Sequence, residues 1–172
     1  MTAAADIGFV EMRLSKVVGV CATQDDPSFC VVLDGVSQDR HLPIWIGGTE
    51  AIGLSASLSG TEFRRPMSPQ FAASLLQALG GRVRQVRIDR LVPVNDGNAY
   101  GSTVEIEGAS GVESVDARPS DALNLVALLP APIFVTPEVL ADAEARLTGD
   151  SSEAVLLRLA LESEQLSFRR ES

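Results

Sequence analysis

The sequence predicts one α+β domain: a mixed, strongly twisted sheet flanked by about four helices, with a further helix at the C-terminus. Runs rich in β-branched residues recur at 7–20, 29–34, 40–46, 83–92, 100–107, 112–117 and 133–135, separated by turn-forming stretches. Apolar residues recur at helical spacing after Thr49, Ser68, Ser120 and Thr136. The order, three strands, two helices and then three more strands, does not suit the regular alternation of a parallel doubly wound sheet. With 172 residues and 45% apolar content, the chain can build one sizeable core but not two full domains.

Each element has a local reason. Ile7 to Val20 and Phe29 to Asp34 read as a hairpin over the turn sequence Gln24-Asp25-Asp26-Pro27-Ser28, and Asp34-Gly35 turns into a third strand, Arg40 to Ile46. Thr49 reads as the cap of the first helix, with Ala51, Ile52, Ser55, Ala56 and Leu58 as its stripe and Gly60 as its stop. Ser68-Pro69 opens the second, hydroxyl at the cap and proline at the first position. That helix sets Phe71, Ala72, Leu75, Leu76 and Leu79 on one face and ends at Gly80-Gly81. Asn95-Asp96-Gly97-Asn98 and Gly108-Ala109-Ser110-Gly111 link the next three strands.

The third helix runs from Ser120 to about Leu129, where Pro130 and Pro132 break it, and the fourth opens at Thr136-Pro137-Glu138. The core is expected to include Ile44, Ile46, Leu75, Leu79, Val86, Ile88, Ile133 and Val135. The main folded unit spans 7–147. Residues 150–172 form an apolar helix and acidic tail rather than a second domain. Asp150-Ser151-Ser152-Glu153 caps that helix, 151–166, whose apolar residues cover most of its circumference. It must be buried on its own domain or against another copy, so a homo-oligomer is expected.

An internal repeat runs through this pattern. Thr49-Glu50-Ala51-Ile52-Gly53-Leu54 matches Ser120-Asp121-Ala122-Leu123-Asn124-Leu125 in chemical type at five of six positions. Each follows a strand, and each is followed by a helix opening with hydroxyl and proline. A duplicated strand-helix-helix unit would bring the two acid-bearing helix starts to one pocket. Capping chemistry alone also favours these residues at any strand-to-helix junction.

Composition excludes several classes. A net charge of −9 argues against a broad basic face for nucleic acid, although Arg64, Arg65, Arg82, Arg84, Arg87 and Arg90 gather in the middle of the chain. The last four read as a phosphate-contacting strip or as a solvated strand face. Cys21 and Cys30 have neither CxxC spacing nor a secretory context and read as reduced thiols. The absence of a signal-peptide pattern or a long apolar run predicts a cytoplasmic protein with no membrane span. There is no GxxxxGK[ST] or GxGxxG loop for a nucleotide cofactor. His41, the only histidine, reads as structural, and Trp45 and Ile46 as core.

Two segments carry candidate chemistry. His41-Leu42-Pro43-Ile44-Trp45-Ile46-Gly47 runs into Thr49-Glu50-Ala51, and Asp116-Ala117-Arg118-Pro119-Ser120-Asp121-Ala122 has the same strand-to-helix form. Glu50, Asp116 and Asp121 offer the carboxylates that Mg or Mn would need for phosphodiester hydrolysis. Arg118, with Arg65 and Arg64, offers guanidinium groups for phosphate. The plainer reading is that acids in a first turn stabilise the helix dipole and that Arg118 bridges Asp116 or Asp121.

These two segments, together with Arg65-Pro66, Leu79-Gly80 and Pro132-Ile133-Phe134-Val135, resemble the bifunctional nuclease (DNase/RNase) domain family over roughly residues 10–142. The resemblance implies a nuclease acting on DNA or RNA. The catalytic residues would be Glu50, Asp116, Arg118 and Asp121, the metal ligands Glu50, Asp116 and Asp121, and the substrate contacts Arg64 and Arg65. One departure stands out. Family members usually follow the Arg-Pro pair with Thr-His-Asp or Thr-His-Glu, whereas this chain has Ser68-Pro69-Gln70. Pro69 and Gln70 neither bind a metal as an anion nor move a proton at neutral pH, which implies weakened activity. The alternative is a non-catalytic member of the fold that binds a small anion or a protein partner.

Overall fold

A computed structural model describes residues 8–23 and 26–165. The strands are β1 (Val10–Thr23), β2 (Asp26–Gly35), β3 (His41–Ile46), β4 (Arg82–Val94), β5 (Gly97–Gly108), β6 (Gly111–Ala117) and β7 (Ile133–Val135). The helices are α1 (Gly48–Ser59), α2 (Ser68–Ala78), α3 (Pro119–Leu128), α4 (Pro137–Thr148) and α5 (Ser152–Glu162). One mixed seven-stranded sheet runs β3-β2-β1-β7-β4-β5-β6. All neighbours are antiparallel except β4 and β7. The expected α+β class holds, with five helices.

Strand alternation divides the apolar residues of β2 between two faces. Val31 and Leu33 join Leu42, Ile44, Val86, Ile88, Ile133 and Val135 in the main core, closed by Ala51 and Leu54 of α1 and Leu123 and Val126 of α3. Cys30 and Val32 face the other way, with Val18 and Val20, and are covered by Leu157 and Ala160 of α5. The apolar side of α5 is thus buried on its own chain, while Val155 and Leu159 remain exposed. Lys16 Nζ closes its end, donating to the carbonyls of Leu161 (2.6 Å) and Ser163 (2.5 Å). The turn residues Gln24 and Asp25, and Leu166 at the expected end of α5, lie outside the described residues.

Several expectations need correcting. Leu75 and Leu79, placed in the core from sequence, are 50% and 75% exposed, and Phe71 on the same helix is 61% exposed. Helix α2 turns only Ala73 fully inward, so its amphipathic pattern marks an uncovered face. Ile46 is half-buried, packed against the main core. The cap of α1 is Gly47 rather than Thr49, and that of α2 is Met67 rather than Ser68, neither with a side-chain cap bond. Thr136 and Ser151 do cap as expected, accepting from Val139 N–H (3.4 Å) and Ala154 N–H (3.1 Å).

The middle arginines are not a free basic strip. Arg82 pairs with Glu107, Arg87 with Glu105 (3.2 Å), and Arg90 with Asp89 (2.6 Å) and Asp116. These pairs neutralise three of the four arginines of the strip, whereas Arg84 is exposed and has no ion-pair partner among the described residues. Among the described residues, no helix is long and apolar enough to cross a membrane.

Candidate functional site

The first turns of α1 and α3 lie side by side because both helices leave the same face of the sheet. Asn124, on α3, is buried, and its Nδ2 donates to the Ser120 carbonyl of its own helix (2.9 Å) and to the Glu50 carbonyl of α1 (3.2 Å). Gly53 of α1 permits the close approach, since a Cβ there would stand 2.8 Å from Asn124 Oδ1. The repeat read from the sequence therefore does place the two acid-bearing helix starts together.

Arg118 joins them. Its Nη2 donates to Glu50 Oε1 (2.8 Å) and Asp121 Oδ1 (2.9 Å), and its Nε to Asp121 Oδ2 (2.7 Å). Hydrogen bonds donated to Asp121 and then to Glu50 hold the guanidinium even more firmly protonated than usual. Arg118 is nonetheless 65% exposed, whereas Glu50 is 21% exposed. Glu50 is the third residue after the cap Gly47 and folds back over it, and a Cβ at 47 would collide with its carboxylate.

The predicted ligand set does not assemble. Asp116, 85% exposed, is held by Arg90 and not by Arg118. Arg90 starts on β4 and crosses β5, donating on the way to Thr103 Oγ1 and the Ser102 carbonyl (both 3.1 Å). Gly101, its register partner, leaves it room. Among the described residues, no three of His, Cys, Asp and Glu converge as metal ligands. With both Asp121 oxygens and Glu50 Oε1 already on Arg118, these residues as they stand do not fit Mg or Mn. Arg64 and Arg65 are exposed on the α1–α2 connection, and among the described residues neither has an ion-pair partner. His41 sits between Asp34 (2.8 Å) and Asp39 (3.6 Å), outside the Arg118 cluster.

Two openings meet at Arg118. One is an apolar groove of about 430 Å³, with Val104, Ile106 and Val115 on its sheet side and Ala72 and Leu125 on its helix side. Glu50, Arg118 and Asp121 line it, and so does Pro69. Gln70 faces a different cavity beside Thr61 and Phe63, where its buried Oε1 has no hydrogen-bond partner. The two departures from the family pattern therefore occupy different places, and only Pro69 borders the acid-arginine cluster.

The second opening, also about 430 Å³, was not foreseen. Trp45, Asn98, Tyr100, Arg118, Ser120 and Arg146 are among its lining residues. Behind it, Asp142 accepts from Asn98 Nδ2 (3.0 Å), Tyr100 OH (2.9 Å) and Arg146 Nε (2.8 Å). Arg146 lies over the Tyr100 ring at 5.1 Å. Trp45 is half-buried, packs against the core beneath α5 as expected, and donates to Glu153 (3.3 Å), so it also edges the cavity. The only sequence signal was the i,i+4 pair Asp142 and Arg146.

Residues 31–148, more than half of the chain, match the Bifunctional nuclease domain family. Two uncharacterized proteins of Mycobacterium tuberculosis, one from strain CDC 1551 / Oshkosh and one from strain ATCC 25618 / H37Rv, are each 32% identical over 138 residues. The match covers 80% of this chain and 80% of each relative. With its strands, helix starts and motif residues in place, this chain belongs to the bifunctional nuclease domain family.

Proposed function

We propose that this protein is a nuclease of reduced strength, hydrolysing phosphodiester bonds of DNA or RNA at the Glu50, Arg118 and Asp121 cluster. The observation that carries the reading is one exposed guanidinium held between two carboxylates at paired helix starts. An incoming phosphate exchanges with Asp121, the more exposed carboxylate, for the fork of Arg118, which then offsets charge on the pentacoordinate transition state. Glu50, whose second oxygen is not engaged by Arg118, takes a proton from the attacking water. The water oxygen bonds to phosphorus, the bond to the leaving sugar oxygen breaks, and solvent protonates that oxygen. Arg64 and Arg65 meet the flanking phosphates. A divalent cation would require Arg118 to leave the acids, so no step here depends on one.

The test is cleavage of end-labelled single-stranded DNA and RNA with Mg, with Mn and with chelator. Glu50→Gln and Arg118→Ala should each reduce cleavage by about 10²-fold or more. Cleavage unchanged in both variants would move the chemistry elsewhere. A wild-type chain inert under every condition would favour the second reading, a non-catalytic anion-binding member in cytoplasm. Pro69 on the groove wall is the observation behind that reading.

A further inference from the structure

We infer that the cavity between Trp45 and the start of α3 is a nucleotide-binding site, taking the phosphate of a nucleoside monophosphate or of a strand end. The lining holds two guanidinium groups, Arg118 and Arg146, whose carboxylate partners Glu50, Asp121, Asp142 and Glu153 are not themselves among the lining residues. The positive end of α3, a ten-residue helix, opens into it through Pro119 and Ser120. Ser120 supplies a separate pointer. It is only 8% exposed, it lines the cavity, and among the described residues its hydroxyl makes no hydrogen bond. A hydroxyl at the cavity wall that no described residue engages is free to donate to a phosphate oxygen beside Arg118.

The rest of the wall suits an aromatic base. Trp45 and Tyr100 line the same space. Tyr100 is fixed by its bond to Asp142 and by Arg146 over its ring, so the wall is organised before any ligand arrives. Asn98 presents an amide whose Nδ2 is already committed to Asp142. Base stacking on such side chains tolerates any base, so the site would discriminate weakly among the four. The choice of a nucleotide as the phosphate-bearing ligand rests on the nuclease reading, whereas the anion site itself does not.

Trp45 is the only tryptophan in the chain, so its fluorescence reports on this wall directly. The full-length protein is titrated with inorganic phosphate, ribose 5-phosphate and cytidine 5′-monophosphate, and calorimetry provides a second readout. The expected result is tighter binding of the cytidine nucleotide than of either sugar phosphate or phosphate, with a change in Trp45 emission. Ser120→Ala should weaken it about tenfold while the fold, followed by circular dichroism, is kept. Ser120→Asp, an acid that suits the helix start, should abolish binding through like-charge repulsion.

Equal affinity for phosphate and nucleotide would overturn the nucleotide assignment. No binding of any of the three at about 1 mM would overturn the site. Binding that survives Ser120→Asp would place the ligand elsewhere and overturn it as well. Failure of strand cleavage with nucleotide binding intact would count against the nuclease reading and leave this inference standing.

Discussion

Asn124 of α3 donates its amide to the main-chain oxygen of Glu50 on α1, across a gap kept narrow by a glycine. The spacing of the two acid-bearing helix starts is therefore fixed by a side chain outside the acid-arginine cluster.

Gly53→Ala should accordingly destabilise the wild type, because the new methyl meets Asn124 Oδ1, at a cost of about 1–2 kcal/mol. Asn124→Ala alone should cost about 1–2 kcal/mol through its two lost hydrogen bonds. Together they should cost less than the sum, since the collision disappears and alanine favours a helix interior by about 1 kcal/mol over glycine. Urea midpoints for the four proteins measure this, and strict additivity would show that the two residues do not meet.

The split of Pro69 and Gln70 between two cavities sharpens the question of activity. Pro69→His should raise strand cleavage by about tenfold or more, because the imidazole would border the cluster. Gln70→Asp should not raise it. A rise with Gln70→Asp alone would place the second cavity in the chemistry.

Asp142 provides a pH test. Burial opposes its ionisation, but hydrogen bonds from Asn98 and Tyr100 and the charge of Arg146 outweigh that and hold the carboxyl below its ordinary 3.8. A carboxyl depressed in the folded state contributes stability above its unfolded value, and this is lost as pH falls through the folded one. Asp142→Asn should therefore lower stability at neutral pH and flatten its dependence between about pH 2 and 5. An unchanged slope in urea midpoints across that range would show that the network is not formed.

Cys30, buried beneath α5, has its thiol pushed up to about 12 by desolvation. In a Cys21→Ser background it should resist thiol reagents at pH 8 until the chain unfolds. Leu157→Ala should open the way to it and destabilise by about 2–4 kcal/mol. Rapid labelling of the Leu157 parent would contradict the packing.

Much of this was legible in the sequence. Strand alternation and turn residues give the sheet segments, and proline in a first turn marks three of the five helices. The pairing of Glu50 and Asp121 was legible because the helix starts share a pattern. Amphipathic spacing shows which side of α2 is apolar but not whether anything covers it, so Leu75 and Leu79 were misplaced. Asp116 looked like a ligand because it is two residues from Arg118, yet its partner comes from β4 across an intervening strand, a relation that chain order hides. Trp45, Tyr100 and Arg146 meet only after the sheet has formed.

Strand β7 has three residues and stands at the middle of the sheet, the seam between two antiparallel meanders. It pairs Val10, Glu11 and Met12 on one side and Val86, Arg87 and Ile88 on the other. During synthesis both meanders emerge before residue 133 does, and each can pair from neighbours in sequence while β1 and β4 stay open-edged. Closure of the seam is a late, long-range event that joins the halves at once. A nascent chain with residue 117 outside the ribosome's exit tunnel and residue 133 still inside it would thus carry two half-sheets with unpaired edges, the state of this chain most exposed to pairing with its neighbours on a polysome.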